Sequence, residues 1–146
     1  MFTLKFKEHQ TTSDGKEVFE EYDWWKELTL KAAENADHFE LRCWEDEAEG
    51  IAFGKKYGQA QESTTKEKVF SGELSEAVLK ELTENHIAQE GCLKYFTLNL
   101  LKGNQMVFSS SHYGYEIYWK ASGFAEMGFL MMLTKNHPLI EGFSKM

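Results

Sequence analysis

Three hydroxyls run straight into an imidazole at Ser109-Ser110-Ser111-His112, and Tyr113, Tyr115 and Tyr118 follow close behind. These are the residue types of a hydroxyl nucleophile with its base, and equally of an aromatic ligand cleft. Nucleophile and base meet in space rather than in sequence, and no Gly-x-Ser-x-Gly elbow is present, so a polar strand end explains the run as well. Gly50-Ile51-Ala52-Phe53-Gly54-Lys55-Lys56 has the glycines and lysines of a phosphate loop. Its glycines are one position too close, and no hydroxyl follows the lysine. Glu45-Asp46-Glu47-Ala48-Glu49 offers oxygen ligands to a hard cation but lacks the alternating Asp spacing of a calcium loop. His9, His38, His86, His112 and His137 are scattered, with no His-x-x-x-His or Cys-x-x-Cys pair to suit zinc. Cys43 and Cys92 fall at apolar positions, where a buried, inert thiol is the commoner case. No catalytic residue, metal or cofactor is assigned on these patterns.

The strongest chemical signal is charge. From Glu34 to Glu49 the chain carries Glu34, Asp37, Glu40, Glu45, Asp46, Glu47 and Glu49 against the single base Arg42, while the remainder is close to neutral. Most of the net charge of −8 is therefore local. A concentrated field of one sign steers a partner of the other. Trp44 lies inside the run, and tryptophan anchors are enriched at interface centres. The expected partner-binding set is Glu40, Arg42, Trp44, Glu45, Asp46, Glu47 and Glu49, with Trp24 of the Trp24-Trp25 pair as a second anchor.

The elements that must position these residues follow from periodicity. Phe2, Leu4 and Phe6 alternate with polar residues and predict a strand; Ser13-Asp14-Gly15-Lys16 is a turn, and Glu17 to Tyr22 is its return strand. Asp23 is a candidate cap for a helix through about Ala36. His38 to Glu45 alternates, with Phe39, Leu41 and Cys43 facing inward and Glu40, Arg42 and Trp44 outward. Gly50, Gly54 and Gly58 favour a Gly-interrupted strand pair or a mobile loop over residues 50–65, since each glycine costs a helix ~1 kcal/mol. Lys66 to Phe70 is a short strand. Ser75 caps a helix that Gly91 ends. Leu93 to Leu101 and Met106 to Ser110 form a hairpin about Lys102-Gly103-Asn104-Gln105. Tyr115 to Lys120 is a further strand, and Ser122 caps a last helix, Phe124 to Lys135, ahead of a docked tail. The expected fold is α+β: a mostly antiparallel sheet of about five to seven strands, with three helices packed mainly on one face of a single domain over 1–146.

Composition narrows function. Fifteen of the sixteen bases are lysine, and the net charge is negative, so nucleic acid and anionic membranes are poor partners. Residues 1–7 alternate instead of forming an apolar leader, and no apolar run is long enough to span a bilayer, so a cytoplasmic protein with free thiols is expected. The leading reading is a non-catalytic module that binds a basic protein, such as an immunity protein or antitoxin occluding a cationic nuclease toxin. One alternative is a small-molecule or enzymatic domain with a cleft formed by His112, Tyr113, Tyr115, Tyr118 and the Gly50 to Gly58 loop. Another is a phage-type or structural accessory protein with a homodimeric interface.

Overall fold

The computed structural model describes residues 1–121 and 123–146. Ser122, the expected cap of the last helix, lies outside the described residues. In chain order the elements are β1 (Phe2–Phe6), β2 (Gln10–Thr11), β3 (Glu17–Val18), α1 (Asp23–Ala33), β4 (His38–Trp44), α2 (Ala48–Tyr57), β5 (Gln59–Gln61), β6 (Glu67–Glu73), α3 (Glu76–Glu84), β7 (Thr97–Lys102), β8 (Gln105–Ser111), β9 (Glu116–Trp119), α4 (Phe124–Asn136) and β10 (Ile140–Lys145). Eight strands form one sheet in the order β10-β1-β9-β8-β7-β4-β6-β5, antiparallel throughout; β2 and β3 form a separate two-stranded ribbon. The class is α+β as expected, with more strands and a fourth helix.

All four helices cover the sheet face that carries Phe39, Leu41, Phe70, Leu98, Leu100, Phe108 and Trp119, each of them buried. Trp25 of α1 donates to Ser110 of β8, Phe53 of α2 meets Phe39 edge-on, α3 packs on α1, and Phe129 of α4 meets Trp119. The opposite face carries Glu40, Arg42 and Trp44 of β4. Their cross-strand neighbours are Ser71, Val69 and Glu67 on β6, with Asn99 and Thr97 beside Glu40 and Arg42 on β7. The strict alternation of β4 thus places the side chains as the sequence predicts. No described helix is long and apolar enough to cross a membrane.

Five expectations change, the smallest at the long strand: β7 begins at Thr97, and Leu93 to Phe96, expected within it, lie in the preceding loop. β1 does not pair with the Glu17 to Tyr22 segment but lies between β9 and β10, because Phe19 and Tyr22 are spent as plugs: Phe19 sits 4.5 Å from Phe6 and 5.4 Å from Trp24. Asp23 is the first residue of α1 rather than its cap. α3 stops at Glu84, and Gly91, at φ 95°, serves a turn inside the 86–94 loop, where Ile87 and Leu93 form a bridge. The largest change is α2, a helix where a strand pair or mobile loop was expected. Its glycines mark the face laid against the sheet: a Cβ at Gly50 would fall 2.5 Å from the Cys43 Sγ, and one at Gly54 would fall 2.3 Å from the Phe70 ring. Spacing of four residues is helical spacing, and here it records close approach rather than flexibility.

Candidate functional site

The acidic run does not form one surface. β4 separates its halves by its own length, about 20 Å for seven extended residues. At the far end Glu34 pairs with Lys31, while Asp37 bonds His38 and the Gly103 amide and lies near Lys102. On the strand itself Glu40 accepts from Arg42 Nε at 2.9 Å and from Asn99 at 3.1 Å, and Arg42 reaches Glu67 at 3.8 Å. Glu40 and Arg42 therefore lace the open sheet face together, half-buried.

At the near end the chain builds something denser. Trp44 ends β4, 37% exposed as a residue, with its ring 5.0 Å from the Phe96 ring, which in turn meets His112 at 5.1 Å. Glu45 and Asp46 follow, both exposed, and among the described residues neither carboxylate has an ion-pair or hydrogen-bond partner. Glu47 is different. It turns inward, is 8% exposed, accepts from the Trp44 amide at 2.8 Å and from the Tyr113 hydroxyl at 2.9 Å, and has the Lys16 ammonium at 3.5 Å. It belongs to the interior and not to a contact surface, because a carboxylate excluded from water needs these donors. Lys16 also bonds Glu90 at 2.8 Å and lies 3.8 Å from Asp14. Glu49 accepts from the Gln89 amide at 3.0 Å. A cleft of about 260 Å³ opens between these groups, lined among others by Lys16, Asp46, Glu49, Glu90, Cys92 and Lys94. The acidic end thus combines three chain segments: Asp14 from the first turn, Glu45, Asp46 and Glu49 before and in α2, and Glu90 from the 86–94 loop. Only the middle segment was visible as a run; Asp14 and Glu90 carried no signal in sequence.

The proposed second anchor is not available. Trp24 is fully buried, 4.8 Å from Phe6 and stacked near Tyr22, and its indole N–H donates to the Glu21 carbonyl at 3.0 Å. Trp25 is equally buried, donating to the Ser110 hydroxyl at 2.9 Å and lying parallel to His86 at 5.6 Å. Two adjacent indoles both reach the interior because different walls receive them: the N-terminal arm covers one, and β8 with the 86–94 loop covers the other.

The aromatic cleft likewise divides. Tyr113 is buried on Glu47. His112 rests on Phe96, and its Nε2 lies 4.0 Å from Glu116. Tyr115 packs 4.2 Å from His9 and, with Tyr118, lines a separate groove of about 320 Å³ beside Thr3 and Lys5. Residues 50–57 are helical and belong to α2, so they form no loop over these aromatics. The Ser110 hydroxyl is occupied by Trp25, and no serine hydroxyl is bonded to His112 among the described residues. Both His112 and Tyr113 hold left-handed backbone, φ 50° and 56°, which turns the chain so that Tyr113 alone enters the interior.

Burial and neighbouring charge set the protonation of the groups around Glu47. Burial, then the adjacent Glu47 charge, pushes the Tyr113 hydroxyl far up, so it stays a donor. Burial alone pulls Lys16 down, but its hydrogen bond to Glu90 and the Glu47 charge outweigh this and raise its pKa. Burial raises the Cys92 thiol to about 11, with Glu90 adding, and the Cys43 thiol to about 12. No group of three or more ligating side chains that could hold a metal occurs among the described residues.

The same directions set an alkaline limit to stability. Cys43, Cys92 and Tyr22 (raised by burial to about 12) keep protons in the folded chain that an unfolded chain releases above about 9 to 10. The folded state then binds more protons, so stability falls as pH rises through that window, by roughly 1.4 kcal/mol per pH unit for each group titrating. Urea denaturation from about pH 8 to 11 should show a flat start and a steep fall; a flat profile throughout would contradict the burial of these groups.

Comparison with protein-family models, curated proteins and solved structures returned no match.

Proposed function

We propose that this chain is a non-catalytic binding module whose acidic, Trp44-bearing sheet end engages a basic protein. The observation that carries the reading is the exposed Trp44 ring, backed by Phe96 and flanked by the unpaired carboxylates of Glu45 and Asp46. An aromatic ring held by a second ring loses little freedom on binding, and free carboxylates beside it supply the steering field. Asp14, Glu49 and Glu90 extend that field around the cleft, against Lys16 and Lys94. The partner class that fits is a cationic protein such as a nuclease toxin, with the chain acting as an immunity protein or antitoxin by covering a nucleic-acid groove. Rapid encounter would come from charge, and slow release from the buried indole.

The test is capture from the native cell lysate on immobilised chain, with elution by salt. The wild type should retain a basic protein that elutes as ionic strength rises. Glu45→Lys with Asp46→Lys should weaken its capture by about 100-fold, and Trp44→Ala by at least about 30-fold, with circular dichroism unchanged. Capture insensitive to both variants would remove this reading.

A further inference from the structure

The chain carries one further surface that the acidic end does not use. On α4, Phe124 is 97% exposed, Met131 61%, Met132 54% and Met127 36%. With Gly128 and Lys135 they recur at three- and four-residue spacing and share one helix face, opposite the buried Leu130 and Leu133. Flexible methionines at the surface mark an adaptable contact, and a contiguous apolar patch on a charged protein marks an interface. The stripe also has direction. α1 reaches β8, well inside the sheet, and α4 meets α1 at Phe129, 6.0 Å from the Lys31 ammonium. The other flank of α4 points away from α1, toward β10, whose outer edge pairs with no strand among the described residues.

We propose that this face is a homodimer interface, in which α4 packs antiparallel on α4 of a second copy about a two-fold axis. The argument is self-complementarity, which a two-fold contact requires. An axis between Phe129 and Leu130 sets Phe124 against the partner copy's Lys135, Met127 against its Met132, and Gly128 against its Met131. Each pairing has a physical match. A Cβ at Gly128 would meet nothing within 4 Å, so the position is an open notch that receives a methionine. An exposed phenyl ring opposite an ammonium makes a cation–π pair. The stripe bears no acid, whereas two chains of net charge −8 repel through most other surfaces. A helix of 13 residues is about 20 Å long, short of what a standard interface of ~1,200–2,000 Å² needs by itself, so the association is expected in the micromolar range.

Sedimentation equilibrium of the intact chain tests this. The wild type should pass from 16.9 kDa at low concentration to twice that mass as concentration rises. Gly128→Lys fills the notch and improves helix propensity, so it should weaken dimerisation at least tenfold while leaving the monomer as stable or more so. Met131→Asp should do the same from the other side of the pairing. Register is tested by mixing Gly128→Cys chains with Met131→Cys chains: mixed disulfide dimers should form faster than either chain forms dimers alone, because the native thiols are buried. A wild type monomeric at every concentration overturns the proposal and gives the face to a different protein or a lipid surface. A dimer untouched by both substitutions, or one without the expected disulfide preference, overturns it equally.

Discussion

Gly54→Ala is expected to destabilise the fold by about 3 kcal/mol, although alanine is the better helix former by ~1 kcal/mol. The sign is decided by space. A Cβ at this position would lie 2.3 to 2.8 Å from three carbons of the Phe70 ring, and Phe70 is itself 4% exposed on β6. At Gly50 the obstacles are the Cys43 Sγ at 2.5 Å and the Lys94 backbone carbonyl at 2.7 Å. Neither a strand ring nor a backbone carbonyl yields cheaply, so α2 would have to lift from the sheet. Gly50→Ala with Gly54→Ala should exceed the single change. Gly128→Ala on α4, facing open space, should instead stabilise by up to ~1 kcal/mol. The three variants are the same chemistry with opposite outcomes, read directly as shifts in urea midpoint. A Gly54→Ala chain as stable as the wild type would mean that α2 does not sit at contact distance. The acidic end depends on that distance, because α2 begins at Ala48, directly after Glu47, and Gly50 rests on the loop that supplies Glu90 and Lys94.

The same glycines explain what the sequence hid. β4, β7, β8 and α3 were legible because each is specified by its own residues: period-two alternation, a hairpin turn, or the Ser75 hydroxyl accepting from the Val78 amide at 3.2 Å. α2 is specified by what lies beneath it. Its low propensity is the condition for close approach to Cys43 and Phe70, residues that only folding brings near. Trp24 and Trp25 mislead for a related reason. Trp24 could serve as an anchor only if a single wall covered the helix, and here two walls close on it. For the site, alternation placed Trp44 outward correctly. It says nothing beyond the strand, where Glu47 turns inward to meet Tyr113, a residue 66 positions later in the chain. Charge counted along the sequence treats seven acids alike; solvent and ion pairing divide them into a far end, a laced strand, a buried carboxylate and a small exposed remainder.

Glu47 is the sharpest consequence of that division. Were it a surface acid, its loss would cost binding and leave the fold alone. Its position predicts the reverse: Glu47→Ala should destabilise by roughly 3–5 kcal/mol, the usual result of removing one member of a buried charged cluster. The loss strands the Tyr113 hydroxyl and the Trp44 amide, and it removes one of the carboxylates around the Lys16 ammonium. Glu47→Gln retains an acceptor for one of these donors and should cost less, about 1–3 kcal/mol. Thermal melts rank the two variants against Glu45→Lys, which should fall within ~0.5 kcal/mol of the wild type as an unpaired surface change. Equal melting of all three would place Glu47 in solvent. The ordering also separates support from contact at the acidic end. Because the Glu47 carboxylate fixes the Trp44 amide, Glu47→Ala loosens the indole as well as the fold, whereas among the described residues the Glu45 and Asp46 carboxylates have no hydrogen-bond or ion-pair partner to lose.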